Sequence, residues 1–335
     1  MFNKYELPLN MKLKLYNQEL FQGSLNRKNY FEGWYFKHVS KDQNHVYSFI
    51  PGVSLNSNNP HAFVQVINGI SGKTEYVTYS PDQFSWDKNK LFIRVGDSVF
   101  TENSVDLSIQ NENIEVSGHL DYSKNVRYPK SLFSPGIMGW YSFIPFMECK
   151  HGIVSVNHEI SGELVINHKT LDFSKGKGYI EKDWGTSFPE AWIWIQGNSF
   201  TNQNTSFQFS VAKIPWLGKF FIGFISFLYI KGEFYLFSTY NKSKILQISH
   251  SPESITIRLK NRKFILRIKA VKNTFGELIA PVSGDMSRRI KESIDSEVHI
   301  ELYDLKENLL YKDSSNRAGL EIIEKIFDFL PESSF

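Results

Sequence analysis

The sequence predicts an all-β chain folded as two antiparallel barrels in tandem, with little helix. Three observations carry this reading. Apolar and polar residues alternate at a period of two through most of the 335 residues, the pattern of strands with one face buried. The runs are short and divided by turn residues at hairpin spacing. Aromatic residues make up 15% of the chain, as 28 Phe, 16 Tyr and 7 Trp, a composition that suits pleated surfaces and apolar pockets.

Taken in order, the first strands fall at Tyr30–Val39, His45–Ile50, Ala62–Asn68, Leu91–Val95 and Ile114–Leu120, with turns such as Asp42-Gln43-Asn44 and Ser71-Gly72 between them. A second group falls at Ala191–Phe200, Ser206–Ile214, Phe220–Ile230, Glu233–Tyr240, Ser254–Leu259, Lys263–Ala270 and Val298–Leu305. So many strands leave many edges, and a sheet closed on itself hides them. A repeat supports two halves: Glu32-Gly33-Trp34-Tyr35-Phe36 and Glu190-Ala191-Trp192-Ile193-Trp194 match in type, 158 positions apart. Between them, residues 127–147 hold three prolines and no charge after Lys130, the texture of a linker or lid. The organisation expected is an N-terminal barrel over 1–126, that linker over 127–147 and a C-terminal barrel over 148–335, with a boundary near 170 as the alternative. The one helical stripe, Leu320, Ile323, Ile326, Phe327 and Leu330, points to a short C-terminal helix.

The net charge of +3 is scattered, which excludes a nucleic-acid surface. The single cysteine, Cys149, excludes a disulfide framework and a cysteine-rich metal site and fits a reducing compartment. Met1 to Leu20 lacks an apolar run of signal-peptide length. The longest apolar stretch, Phe220–Ile230, is well short of the ~20 residues that span a bilayer. A soluble, cytoplasmic protein is expected, with peripheral membrane contact through Trp140, Phe143, Phe146 and the Trp216–Phe227 run. There is no Gly-x-Gly-x-x-Gly fingerprint, and Gly72-Lys73-Thr74 has Ile67 where a phosphate loop needs its first glycine. No cofactor and no metal are expected.

Candidate chemistry concentrates around residues 181–198. In an extended chain Glu190, Trp192, Trp194, Gln196 and Asn198 share one face. Indoles mixed with polar tips suit a pocket wall, where rings hold a ligand and a few polar groups orient it. The first half repeats the mixture with Glu32, Trp34, Phe36 and His38. Upstream, Glu181 and Asp183 share a face with Tyr179, while Lys182 reads as part of a solvated turn. Two neighbouring carboxyls in a poorly solvated place cannot both ionise easily, so one keeps a proton at neutral pH. Cys149 and His151 could pair as nucleophile and base, but nothing supplies a third partner, and a packed thiol is the plainer reading.

Three runs then carry a resemblance. Tyr30–Lys37, the stretch from Pro135 to Gly152 and Gly178–Gln196 resemble the tocopherol cyclase family, in particular its bacterial members of unassigned role. The Asp183-Trp184-Gly185 junction is similar, more distantly, to carotenoid 1,2-hydratases and related proteins made of two lipocalin-like barrels. The resemblance implies a tandem lipocalin-like fold. It also implies cofactor-independent, acid-catalysed ring closure on a prenylated quinol or related isoprenoid: a neutral acid protonates an alkene, and aromatic faces stabilise the cation. Asp183, Glu181, Glu190 and Glu32 are the candidate acids. Trp34, Phe36, Trp184, Trp192, Trp194, Gln196, Asn198 and Trp140 are the candidate ligand contacts. The alternatives are a non-catalytic carrier for a lipophilic small molecule, which lipocalin-like barrels commonly are, and an isoprenoid hydratase.

Overall fold

An alternating strand has two faces to bury, and the architecture follows from where each goes. The computed structural model describes residues 14–145, 147–216 and 218–330; most of the stretch read for a targeting signal, and Phe146, lie outside them. The regular structure is nearly all strand, in a twelve-stranded and a ten-stranded antiparallel sheet. In the first, the path runs outward on one side from Phe31–Val39 through Val46–Ser54 and His61–Asn68 to Thr74–Tyr79. On the other side Phe31–Val39 pairs with Gly176–Gly185, which leads through Cys149–Ile166 and Glu115–Val126 to Phe84–Trp86. The two ends of this path are consecutive in sequence, joined by the 3-10 turn Pro81–Gln83, so the sheet curls round its core without a closing ladder. The second sheet repeats the plan. Trp192–Gly197 pairs with Leu309–Ile322, and the path ends at Glu233–Ser238 and Lys244–His250, joined by the turn Thr239–Asn241.

The barrel interiors are lined by buried apolar side chains. The first is filled by Trp34, Phe36, Phe49, Phe100, Leu120 and Ile180, among others, and the second by Ile193, Ile195, Phe207, Phe209, Ile257 and Leu266. A third apolar cluster, with Tyr35, Ile153, Tyr179, Trp192, Trp194 and Ile290, lies between the two sheets. Alternation sorts neighbouring residues accordingly: along 176–185, Ile180 and Trp184 enter the first core while Tyr179 turns to the second sheet.

Several expectations change. Cys149–Ile166 and Gly176–Gly185, placed in the second barrel by the sequence reading, are strands of the first sheet, so the division falls between Gly185 and Trp192. Only their pairing partners, remote in sequence, fix this. The apolar stripe expected as a C-terminal helix ends the strand Leu309–Ile322 and continues as the 3-10 turn Glu324–Asp328. The repeat opens each sheet on its equivalent strand, but with faces exchanged: Trp34 and Phe36 enter a barrel core, whereas Trp192 and Trp194 face the partner sheet.

Lys182, read as solvated, is fully buried. Its ammonium pairs with Glu32, bonds the carbonyls of Gln18 and Leu20, and lies 4.7 and 4.8 Å from the Trp34 and Trp184 rings. The Glu32 carboxylate also accepts from the Gln22 and Gly23 amides and the Tyr30 hydroxyl. This network ties Gln18–Gly23 to the first sheet. Removing one member of a buried pair strands the other charge, at a cost of about 3–5 kcal/mol. Lys182→Met is expected to lose that much in denaturant unfolding, and the double variant with Glu32→Gln to recover part of it.

Candidate functional site

Because both barrels are filled, the space for a ligand lies between them. A cavity of about 190 Å³ opens there, walled by Phe31, Tyr35, Ile50 and Phe63 from the first sheet and by Trp192, Trp194, Ile225 and Ile290 from the second. Met138, Tyr141 and Met147 of the linker cover one side. Titratable residues lining this apolar space include His151, Glu181 and Asp183 from the first sheet, Glu292 and Glu321 from the second, and Glu148 and Cys149.

They form two linked groups. In the first, His151 Nδ1 lies 2.9 Å from Asp183 Oδ1, and its Nε2 is 3.6 Å from Glu181 Oε2. Glu181 Oε2 also accepts from the Tyr179 hydroxyl at 2.6 Å and from Trp194 Nε1 at 3.3 Å. In the second, Glu292 and Glu321 are cross-strand partners, placed so that a proton on one carboxyl could be shared with the other. Tyr35 donates to Glu292 at 2.8 Å and Trp192 Nε1 to Glu321 at 2.5 Å. The Tyr35 and Trp194 rings meet edge to face, centroids 5.5 Å apart, and join the groups. Gly319 lies flat against Trp194: a Cβ there would sit 2.4 Å from the indole.

Desolvation dominates the acids. Burial raises Glu181 to about 7, with Asp183 adding to the effect and His151 opposing it. Burial likewise raises Glu321 to about 7, and it raises Glu292 well above the carboxylate range, with the Glu321 charge next in weight. For His151 burial favours the neutral ring, but the Asp183 and Glu181 carboxylates outweigh it and raise the imidazole to about 9. The Cys149 thiol is pushed up by burial and by Asp183, which suits a packed thiol and not a nucleophile.

The expected site residues separate. Glu181, Asp183, Trp192 and Trp194 line the cavity. Glu190 does not: it is exposed and bonded to Lys213 and Lys325, which hold its carboxyl down at about 2. Glu32 is buried in the network with Lys182, on the barrel face of its strand. Trp34, Phe36 and Trp184 belong to the first core. Gln196 accepts from Lys37 Nζ at 2.7 Å and Asn198 donates to the Gly178 carbonyl at 2.9 Å, both fully buried and off the cavity wall. Trp140 is 48% exposed, stacked on Tyr141 outside the cavity. Face exchange accounts for the first-half residues: alternation identifies a shared face, but not which side of the sheet it meets.

Glu292, Glu321 and Tyr35 were missed. In Asp285–Asp304 the acid stands among alternating charges typical of a solvated strand, and Glu321 lies in the stripe that resembled a helix. The usable signal was in Glu321, a charge within an otherwise apolar run. His151, Glu181 and Asp183 are also the described residues that could hold a metal ion, one donor atom from each lying within 4.8 Å of the others. Hydrogen bonds engage His151 Nδ1, Asp183 Oδ1 and Glu181 Oε2, whereas His151 Nε2 has no hydrogen-bond partner.

A family model described as tocopherol cyclase-like matches residues 115–323, more than half of the chain. A chloroplastic tocopherol cyclase of Zea mays is 34% identical over 62 residues, 18% of this chain and 13% of that protein. A protein of Oryza sativa subsp. japonica described as a probable chloroplastic tocopherol cyclase is 32% identical over 63 residues, 19% of this chain and 13% of that protein. The matches thus span a small fraction of these curated relatives. Among solved structures, CghA with Sch210972 aligns with a TM-score of 0.52 at 8% identity, over 88% of both chains, a likeness of fold. The structure bears out the tandem lipocalin-like architecture.

Acids held neutral by folding tie stability to pH. Ionising Glu321 is harder in the folded than in the unfolded chain, so stability is whole below the ordinary glutamate value of 4.5 and falls as pH rises through about 7. Melting temperatures between about pH 5 and pH 8 should therefore fall in the native protein, and less steeply in Glu321→Gln.

Proposed function

The chain belongs to the tocopherol cyclase-like family, and from that premise we propose that it closes an oxygen ring on a prenylated quinol or related isoprenoid by acid catalysis in the cavity between the sheets. The observation that carries the proposal is a buried glutamate, Glu181, that lines an apolar cavity together with two indoles and whose carboxyl is raised by that burial. An alkene is a very weak base, so its proton donor must be uncharged and close, in a place where the resulting cation is stabilised. Both hydrogen bonds to Glu181 fall on Oε2, so Oε1 is available to carry the proton.

The step balances within the pocket. Glu181 gives its proton to one alkene carbon, and the π pair becomes the new C–H bond. The tertiary cation on the other carbon is met by the rings of Trp192 and Trp194, at about 2 kcal/mol per desolvated contact. One face of Trp192 is already covered by Arg288, 4.9 Å from its centroid. The phenol oxygen then forms the C–O bond, and its proton returns to the carboxylate. The walls fold the prenyl chain toward the phenol and keep out water, which would capture the cation as an alcohol. Gly319 keeps Trp194 back from this space.

Incubation with a prenylated quinol in deuterated water should place deuterium on carbon in the cyclised product. The rate should fall as pH rises through about 7, where Glu181 loses its proton. Glu181→Gln should lower kcat by about 10²–10⁴-fold, the usual worth of a positioned acid. Retained incorporation in that variant would remove Glu181 as the donor. Recovery of an unchanged lipophile from the purified protein, with no turnover, would favour a carrier.

The linker suggests how a lipophilic substrate arrives. Leu132, Phe133, Trp140, Phe143, Trp216 and Phe220 are exposed, and Tyr141 and Met147 line both the cavity and the adjoining aromatic cleft. We propose that this rim touches a bilayer. No described helix is long and apolar enough to cross one. The native chain should float with liposomes, and combined Phe133→Ser and Trp140→Ser substitution should reduce the floating fraction severalfold.

A further inference from the structure

One polar cluster plays no part in the reaction above. Tyr35 and Trp194 line the cavity, and two residues further along the same strands come Lys37 and Gln196, behind the cavity wall. Ser48 is the cross-strand neighbour of Lys37, and Gln208 that of Gln196. Cross-strand neighbours share a face, so all four meet between the sheets, and all are fully buried. Their bonding is far from complete. Lys37 makes one side-chain hydrogen bond, to Gln196 Oε1 at 2.7 Å, although an ammonium has three donors. Gln196 Nε2, Gln208 Nε2, Gln208 Oε1 and Ser48 Oγ have no partner.

An orphaned buried polar atom costs about 1–3 kcal/mol, and here four occur beside a cation with unused donors. A water molecule both donates and accepts, and needs two to four polar partners, which this cluster supplies. We propose that Lys37, Ser48, Gln196 and Gln208 hold ordered water between the two sheets, and that the Lys37 ammonium hydrated there is the counter-charge that lets the Glu292–Glu321 pair keep a single shared proton. The connection runs through Tyr35: its hydroxyl donates to Glu292, and Ser48 Oγ lies beside it without a well-formed hydrogen bond.

Charge bookkeeping within the interface agrees. On the first sheet Tyr179, Glu181 and Asp183 face the same space as Lys37, and the His151 cation is matched by Asp183. On the second sheet stand Glu292 and Glu321, with Arg288 beyond Trp192 at the rim. Lys37 is thus the buried cation left to balance the remaining carboxyls. Burial lowers it to about 7, and the Glu292 and Glu181 charges act against that fall, so it can carry its charge at neutral pH. Tyr35 and Trp194 separate this hydrated site from the cavity, which reconciles water here with a dry reaction space. The inference concerns the acid cluster of the proposed reaction but does not require turnover.

Two measurements on the full chain test it. A high-resolution crystal structure should show water density bonded to Lys37 Nζ and to Gln208; direct protein contacts filling that space would overturn the site. The infrared carbonyl band of buried protonated carboxyls, followed against pH in deuterated buffer and assigned with Glu292→Gln and Glu321→Gln, reports the shared proton. In Lys37→Met its titration midpoint should rise by about one unit or more, since an opposite charge nearby normally holds a carboxyl down. Gln208→Leu, which leaves the ammonium but removes partners of the water, should move it the same way by less. An unmoved midpoint in both variants would overturn the counter-charge. Because neither readout uses a substrate, this inference and the cyclisation proposal can fail separately.

Discussion

Both faces of the central strands must be dry, and the site exists because of that constraint. Phe31–Val39, Gly176–Gly185 and Trp192–Gly197 each send one set of side chains into a filled barrel and the other against the neighbouring sheet. A sheet packed on one side only would present Glu181 and Asp183 to solvent, with ordinary carboxylate behaviour. Packed on both sides, Glu181 sits where ionisation is costly. The acid chemistry proposed here is thus a product of the barrel-to-barrel contact.

The two fully interior glutamates of the first sheet show how environment divides one residue type between two roles. Glu32 meets the ammonium of Lys182, two backbone amides and a phenol, an arrangement that satisfies a carboxylate and fastens a chain segment. Glu181, on the opposite face of the neighbouring strand, meets a phenol, an indole and a shared histidine. Its partners are too few to offset burial, and the carboxyl stays poised near neutrality. The number of donors decides whether a buried glutamate fastens the chain or is left poised for the chemistry proposed here.

The strands, the shared face of Tyr179, Glu181 and Asp183, and the pocket-like mixture of Trp192 and Trp194 were legible in the sequence because they depend on local alternation. What alternation cannot tell is which face of a sheet meets its own core. Trp34 and Phe36 therefore looked equivalent to Trp192 and Trp194, and Glu190 looked like a wall residue although Lys213 and Lys325 hold it at the surface. Lys182 was illegible for a similar reason: a lysine between two acids reads as a turn until pairing shows Trp34 opposite it. Glu292 and Glu321 needed a register between strands close in space but separated by a turn and a bulged ladder, information carried by no single segment.

The exchanged faces of the repeat have an evolutionary implication. A chain that doubled by copying one barrel would be expected to bring like surfaces together, yet here corresponding strands contribute a core-facing indole in one copy and a crevice-facing indole in the other. The crevice is consequently asymmetric: one wall brings a histidine with two acids, the other a carboxyl pair. Since neither barrel interior participates, substitutions that reshape the crevice can accumulate without disturbing either core, and such a scaffold is free to change its ligand while keeping its fold.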